Sequence, residues 1–249
     1  MGGDFEGQYG IVTGAGRGLG AATARMMAER GATVLLVDID ADSVEATASG
    51  LRSEGLRTHA IAMDLADESQ YPALHEAISS LFGGRLDVLV NNAGGWRYST
   101  AREITIDEWE WMFRTNVTSM FLATRAVMDI MVEQRSGRIV NVASGAAHRP
   151  RAIMPHYGAA KASVVSLTKS FAEELAPSQI LVNAVSPGPI ATETLRARGN
   201  LIEERAKSIP LGRVAEPEDL AEVILFLAST RNRYIVGQTI IANGGLFMT

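Results

Sequence analysis

Tyr9-Gly10-Ile11-Val12-Thr13-Gly14-Ala15-Gly16-Arg17-Gly18-Leu19-Gly20 begins the regular part of this chain. An apolar, strand-like run over residues 9–13 ends in a glycine cluster, and a helix-forming segment follows over 18–30. Glycines permit a tight turn and let backbone approach a ligand closely. The N-terminus of the next helix adds unpaired N–H groups and a partial positive charge. This is the arrangement that cradles a pyrophosphate at the start of a βαβ unit, although a tight βα turn with no ligand has the same glycines.

Outward from this loop the pattern repeats. Strands are expected at 33–38, 58–63, 86–90, 138–142, 180–185 and 239–242. Helices are expected at 42–54, 68–82, 106–134, 156–175 and 217–228. The strands are continuously apolar, as in TVLLVD over 33–38, which marks a parallel sheet covered on both faces. Alternation with right-handed crossovers gives a Rossmann-type, doubly wound α/β fold of about seven parallel strands. No linker or repeat divides the chain, so residues 1–249 are read as one dinucleotide-binding domain. The least regular part, 188–208, is read as a substrate lid, the alternative being an ordinary surface connection.

Composition narrows the function. Of 249 residues, 47% are hydrophobic and 20% charged, enough apolar material for a large core. The net charge of −5 argues against nucleic acid as a partner. The absence of cysteine excludes disulfides and thiolate chemistry, and the four histidines lack metal-ligand spacing, so no metal is expected. No apolar run reaches the length of a membrane span and no targeting signal is visible, so a cytoplasmic protein is expected.

Two constellations carry chemistry. Asp38 closes the second strand, where a carboxylate accepts hydrogen bonds from ribose hydroxyls and repels a 2′-phosphate; this favours NAD over NADP. Arg17, in the glycine loop, points the other way. Tyr157 and Lys161, four residues apart, project from one helix face, and Ser144 ends a strand upstream. An ammonium beside a phenol favours phenolate, and a serine hydroxyl polarises a carbonyl. The three form a proton-handling site for interconverting an alcohol and a ketone.

With these pieces in place, nearly the whole chain resembles the short-chain dehydrogenase/reductase family. Gly14, Gly16, Arg17, Gly18, Leu19 and Gly20 fall in its TGxxxGxG loop, and Ile39 follows the ribose-binding Asp38. Asp64, with Leu65, matches the acidic residue that meets the adenine. Asn92, Ala93 and Gly94 belong to its NNAG motif, opened by Asn91. Pro187, Gly188, Ile190 and Thr192 match the segment around the nicotinamide. The resemblance implies catalytic roles for Asn116, Ser144, Tyr157 and Lys161. Tyr157 would be the general acid/base, Lys161 would also hold the nicotinamide ribose, and Asn116 would keep a water for proton relay. It implies reversible hydride transfer between a secondary alcohol or ketone and NAD(H), with a homotetramer as the assembly. The alternatives are an NADPH-dependent 3-oxoacyl-thioester (acyl-carrier-protein) reductase and, among non-enzymes, a dinucleotide-sensing scaffold.

The substrate, a small alcohol or ketone, is expected against Gly95, Trp96, Ala146, His148, Met154 and Leu195. Arg149, Arg151, Arg196 and Arg198 surround the expected entrance, either as solvated surface or as attractors of an anionic substrate. Three positions depart from the family pattern: Gly95 in place of an aliphatic residue, Gln179 in place of a turn glycine, and Asn243 in place of an aspartate. Gly95 is expected to widen the wall near the catalytic centre, and Gln179 to carry backbone strain.

Overall fold

A computed structural model describes residues 3–197 and 199–248. Arg198 therefore lies outside the described residues. The seven strands are β1 (Tyr9–Thr13), β2 (Thr33–Asp38), β3 (Thr58–Ala62), β4 (Val88–Asn91), β5 (Gly137–Val142), β6 (Ile180–Pro187) and β7 (Thr239–Ala242). They form one parallel sheet in the order β3-β2-β1-β4-β5-β6-β7. The chain runs outward from β1 to β3, returns, and continues on the other side of β1, so β1 pairs with both β2 and β4. At this reversal the connections leave β1 and β4 in opposite directions and open a crevice at the strands' carboxyl ends.

The helices cover both faces. On one side lie α1 (Gly18–Glu29), α2 (Ala41–Ser53) and α9 (Pro217–Ala228). On the other lie α3 (Tyr71–Phe82), α4 (Ile106–Phe113), α5 (Ser119–Gln134) and α6 (Pro155–Leu175). Two short helices, α7 (Glu193–Arg196) and α8 (Leu201–Ala206), lie in the stretch read as irregular. Alternate strand residues feed the two cores. Ile11, Leu35 and Val37 pack with Leu74, Ile78, Val127 and Phe171. Val12, Val34 and Leu36 pack with Met27, Val44, Leu51 and Ile224. Two buried faces account for the lack of polar alternation in these strands.

A polar chain crosses the sheet's interior. Asn91 and Asn141 are register partners on β4 and β5. Asn91 Nδ2 donates to Asn141 Oδ1 and to Thr124 Oγ1 on α5, each at 2.9 Å. Asn141 Nδ2 donates to Thr168 Oγ1 on α6 at 2.9 Å, and Thr168 donates onward to the Val164 carbonyl.

The expected helix over 106–134 is not continuous. Between α4 and α5 the residues Arg114–Thr118 form a wider π-helical turn, in which the Ser119 N–H bonds to the Arg114 carbonyl. Its cause is Asn116. The side-chain Nδ2 bonds the Met112 carbonyl four residues back and the Gly95 carbonyl of another loop, at 3.0 and 2.8 Å. A side chain competing for a backbone acceptor opens the helical ladder. Gln179, after α6, has φ +64°, so the left-handed turn expected there is made by a residue with a Cβ.

Candidate functional site

The carboxyl ends of the strands surround a cleft of about 1240 Å³ that runs from the glycine loop to α8. At one end Gly14 takes φ +61°, and a Cβ there would stand 2.8 Å from Ala93 Cα. The Asn92 side chain ties this approach by donating to the carbonyls of Thr13 and Gly14 at 2.9 and 3.0 Å. Gly14, Arg17, Gly18 and Leu19 line the cleft with Asp38, Ile39, Asp64 and Leu65. The cradle depends on the absence of side chains, and α1 begins at its floor, which fits a dinucleotide pyrophosphate.

Two loop glycines expected to meet the cofactor are not on the lining. Gly20 faces inward: a Cβ there would lie 2.1 Å from the Gly14 carbonyl oxygen, so it lets the helix pack on its own loop. Gly16 uses its N–H to hold Asp38 Oδ2 at 2.9 Å. The other Asp38 oxygen accepts from the Asp40 N–H at 3.2 Å. Asp38 is thus a staple of the loop as well as a cleft residue. Asp64 accepts from the Ala66 N–H and the Arg114 guanidinium at 2.9 and 2.7 Å. Asn91, expected near the cofactor, is instead buried in the polar chain between strands.

The four expected catalytic residues converge at mid-cleft. Ser144 follows β5; its Oγ accepts from the Ala146 N–H at 3.1 Å, and its hydroxyl favours the ionised form of the Tyr157 phenol. Tyr157 and Lys161 stand one turn apart on α6, with Lys161 Nζ 6.0 Å from the Tyr157 ring centre. Burial pushes the phenol's pKa up, opposed by the Ser144 hydrogen bond. Lys161 is buried, and that desolvation pushes it down to about 8; its ammonium donates to the Val142 carbonyl at 2.9 Å. In this arrangement the Lys161 ammonium turns to the end of β5 while staying on the Tyr157 side of α6. Asn116 is committed as well. Besides its two donated bonds, its Oδ1 accepts from the Gly95 N–H at 3.3 Å. Its amide therefore fixes the loop after β4.

Of the residues expected at the substrate, Gly95, Trp96, Ala146, Met154 and Leu195 line the cleft. His148 does not. Its Nε2 pairs with Ser186 Oγ at 2.8 Å, and its ring leans toward Phe247, 6.3 Å between centres. Gly95 does not widen the wall either. A Cβ there would meet Trp111 Cη2 at 2.9 Å, so the indole fills the space, with Arg97 stacked over it at 4.0 Å. Pro187, Gly188, Ile190 and Thr192 border the middle of the cleft. Tyr98, Trp111 and Arg205 also line it and were missed by the sequence reading. The Trp96-x-Tyr98 spacing in an extended segment was the available signal, since such residues share a side; their rings meet at 5.0 Å. Asn243, in place of an aspartate, both accepts from the Gly245 N–H and donates to the Phe247 carbonyl, at 2.9 and 2.8 Å. An aspartate would lack the second bond.

Known proteins resemble the chain along its length. A family model described as enoyl-(acyl carrier protein) reductase matches residues 14–247. The 3-oxoacyl-[acyl-carrier-protein] reductase FabG of Aquifex aeolicus is 37% identical over 98% of both chains. A crystal structure of a 3-oxoacyl-[acyl-carrier protein] reductase from Brucella melitensis superposes with TM-score 0.92 at 37% identity, covering 99% of this chain and 93% of that one. A short-chain type dehydrogenase/reductase from Mycobacterium marinum gives TM-score 0.93 at 33% identity, covering 99% and 98%. The curated relatives bear the activity of the NADPH-dependent alternative, which overturns the preference for NAD drawn from Asp38. Both oxygens of Asp38 accept backbone N–H groups of its own surroundings.

Proposed function

We propose a carbonyl reductase, on the premise that the chain belongs to the short-chain dehydrogenase/reductase family and is an oxidoreductase. Its reaction is reduction of the keto group of a 3-oxoacyl thioester to the secondary alcohol. The observation that carries this reading is the convergence of Ser144, Tyr157 and Lys161 on the same cleft as the glycine cradle. The relatives' activity supports the thioester as substrate.

The residues divide the work. Gly14, Arg17, Gly18 and Leu19 hold the pyrophosphate, Asp38 and Ile39 border the adenosine ribose, and Asp64 and Leu65 border the adenine. Asn92, Ala93, Gly94, Pro187, Gly188, Ile190 and Thr192 frame the nicotinamide half. When bound, the reduced nicotinamide supplies the hydride. Arg17 forms no ion pair among the described residues, which supports NADPH as that cofactor. Tyr157 donates its proton to the carbonyl oxygen, and Ser144 stabilises the negative charge developing on it. Lys161 brings positive charge beside the phenolate that remains. Asn116 is a positioning residue that fixes Gly95. Residues 188–208, whose Leu195, Arg205 and Ser208 line the cleft, act as the lid. A homotetramer is the assembly, supported by the outward Trp109 on α4 and Phe121 on α5.

The test follows nicotinamide absorbance with 3-oxobutanoyl-CoA and its N-acetylcysteamine analogue, each with NADPH and NADH. Turnover favouring NADPH is expected. No turnover with either thioester while the dinucleotide binds would overturn the reading.

A further inference from the structure

Among the described residues of this acidic chain, ten arginines are ion-paired: Arg25, Arg30, Arg52, Arg57 and Arg85 on one hand, and Arg114, Arg125, Arg196, Arg213 and Arg231 on the other. Arg196, expected at the entrance, is among them, bonded to Glu216 at 2.5 Å. Arg149, Arg151 and Arg205 all line the cleft, and none of them forms an ion pair with a described residue. Among the described residues, the only side-chain carboxylates on the lining are Asp38 and Asp64. Both belong to the ends of β2 and β3, on the dinucleotide side, and both are engaged. Among the described residues, the half of the cleft beyond β5 and β6 thus holds three guanidinium groups with no ion-pair partner and no side-chain carboxylate.

One of the three is fixed in place within the cleft. Arg205 Nη2 on α8 donates to the Tyr98 hydroxyl at 2.8 Å. Tyr98 and Tyr157 line the same cleft. Uncompensated charge of one sign in a concave site with apolar walls focuses the field and selects ligands of the opposite sign. A planar guanidinium matches carboxylate and phosphate oxygens in pairs.

Resting on the carbonyl-reductase reading, we propose that the substrate carries an anionic group, carboxylate or phosphate, at the end remote from its keto carbon. Arg205 is the specificity-determining residue, assisted by Arg149 and Arg151 at the rim. This narrows the substrate class, because a neutral ketone of the same shape leaves all three groups without a counter-charge.

The experiment uses two matched pairs on the full chain. Methyl 3-oxobutanoate against 3-oxobutanoate isolates a carboxylate. The N-acetylcysteamine thioester against 3-oxobutanoyl-CoA isolates phosphate. For each pair both the calorimetric Kd and kcat/KM are measured. At least one anionic member should be preferred about tenfold or more, and the pair that shows it names the anion. The anionic-over-neutral ratio should fall toward one in Arg205→Gln, be partly kept in Arg205→Lys, and shrink from 50 to about 500 mM salt. Equal Kd values within both pairs would overturn the proposal, as would an Arg205→Gln ratio equal to that of the wild type. Preferential binding of an anion without turnover of any of the four would sink the reductase reading and leave the anion site standing. Arg151→Gln provides a second ratio should Arg205→Gln disturb the lid.

Discussion

Lys161 shows what it costs to place a charge where chemistry needs it. Its ammonium lies inside the protein with one carbonyl partner, and burial lowers its pKa from 10.5 to about 8. Below pH 8 both the folded and unfolded chains carry the proton, and the folded chain bears the full burial penalty, about 3 kcal/mol at most. Between pH 8 and 10.5 the folded chain releases its proton first, so stability rises with pH through this window. Lys161→Met removes the group. The melting temperature of the variant minus that of the wild type should therefore be most positive below pH 8 and decline toward pH 10.5; a pH-independent difference would contradict the burial account. Tyr157 is shifted the opposite way and keeps its proton at neutral pH, as a donor to a carbonyl requires. Tyr157→Phe should lower kcat by about 10²–10⁴ while dinucleotide affinity stays near that of the wild type. At the other end of the cleft, Arg17→Ala should raise the KM for NADPH by more than that for NADH, read from initial rates with each.

At the scale of elements, the π-helical turn and the left-handed residue after α6 are local departures from regular geometry with different causes. Asn116 makes three hydrogen bonds to backbone across two segments. Asn116→Ala should cost about 3 kcal/mol, because two buried carbonyls lose their donor. A melting temperature lower by roughly 6–12 °C would register it. Gln179 has a Cβ in a conformation that suits glycine. Gln179→Gly should gain about 1 kcal/mol, seen as a rise of roughly 2–4 °C, with no change in KM. The strands and most helices were legible because a continuously apolar run and a helical stripe are local patterns. The π turn at Arg114–Thr118 was not, since the Asn116 side chain that opens it is also held by the Gly95 backbone, distant in sequence. The site divided along the same line. Tyr157, Lys161 and Ser144 could be read from spacing, while Trp111, which fills the space beside Gly95, came near only through the fold. His148 was misplaced because no sequence pattern indicates that Ser186, on a neighbouring strand, will claim its ring.

For the molecule as a whole, one sheet edge collects contributions from far-separated parts of the chain, from Gly14 to Phe247. Their alignment depends on strands pairing in one offset. Asn91 and Asn141 are coupled in that offset, and a double-mutant cycle of Asn91→Val and Asn141→Val tests the coupling. Each single change leaves a buried amide short of a partner, so the double variant should lose at least about 1 kcal/mol less than the sum of the two, measured by denaturant unfolding. Simple additivity would mean the pair is energetically silent. The pair also bears on how the chain avoids errors while folding. Leu89 and Val90 face Ile139 and Val140, an aliphatic stretch of the pairing. A slip of one residue would turn every side chain to the wrong face, but a slip of two would keep each face apolar. Shape and hydrophobicity then discriminate poorly between the right pairing and its neighbour. A misaligned asparagine, stranded among aliphatic side chains, exposes the mistake. The buried amides therefore proofread the sheet: they reject a near-miss that greasy strands would accept, and so bring every strand end to the cleft at the correct height.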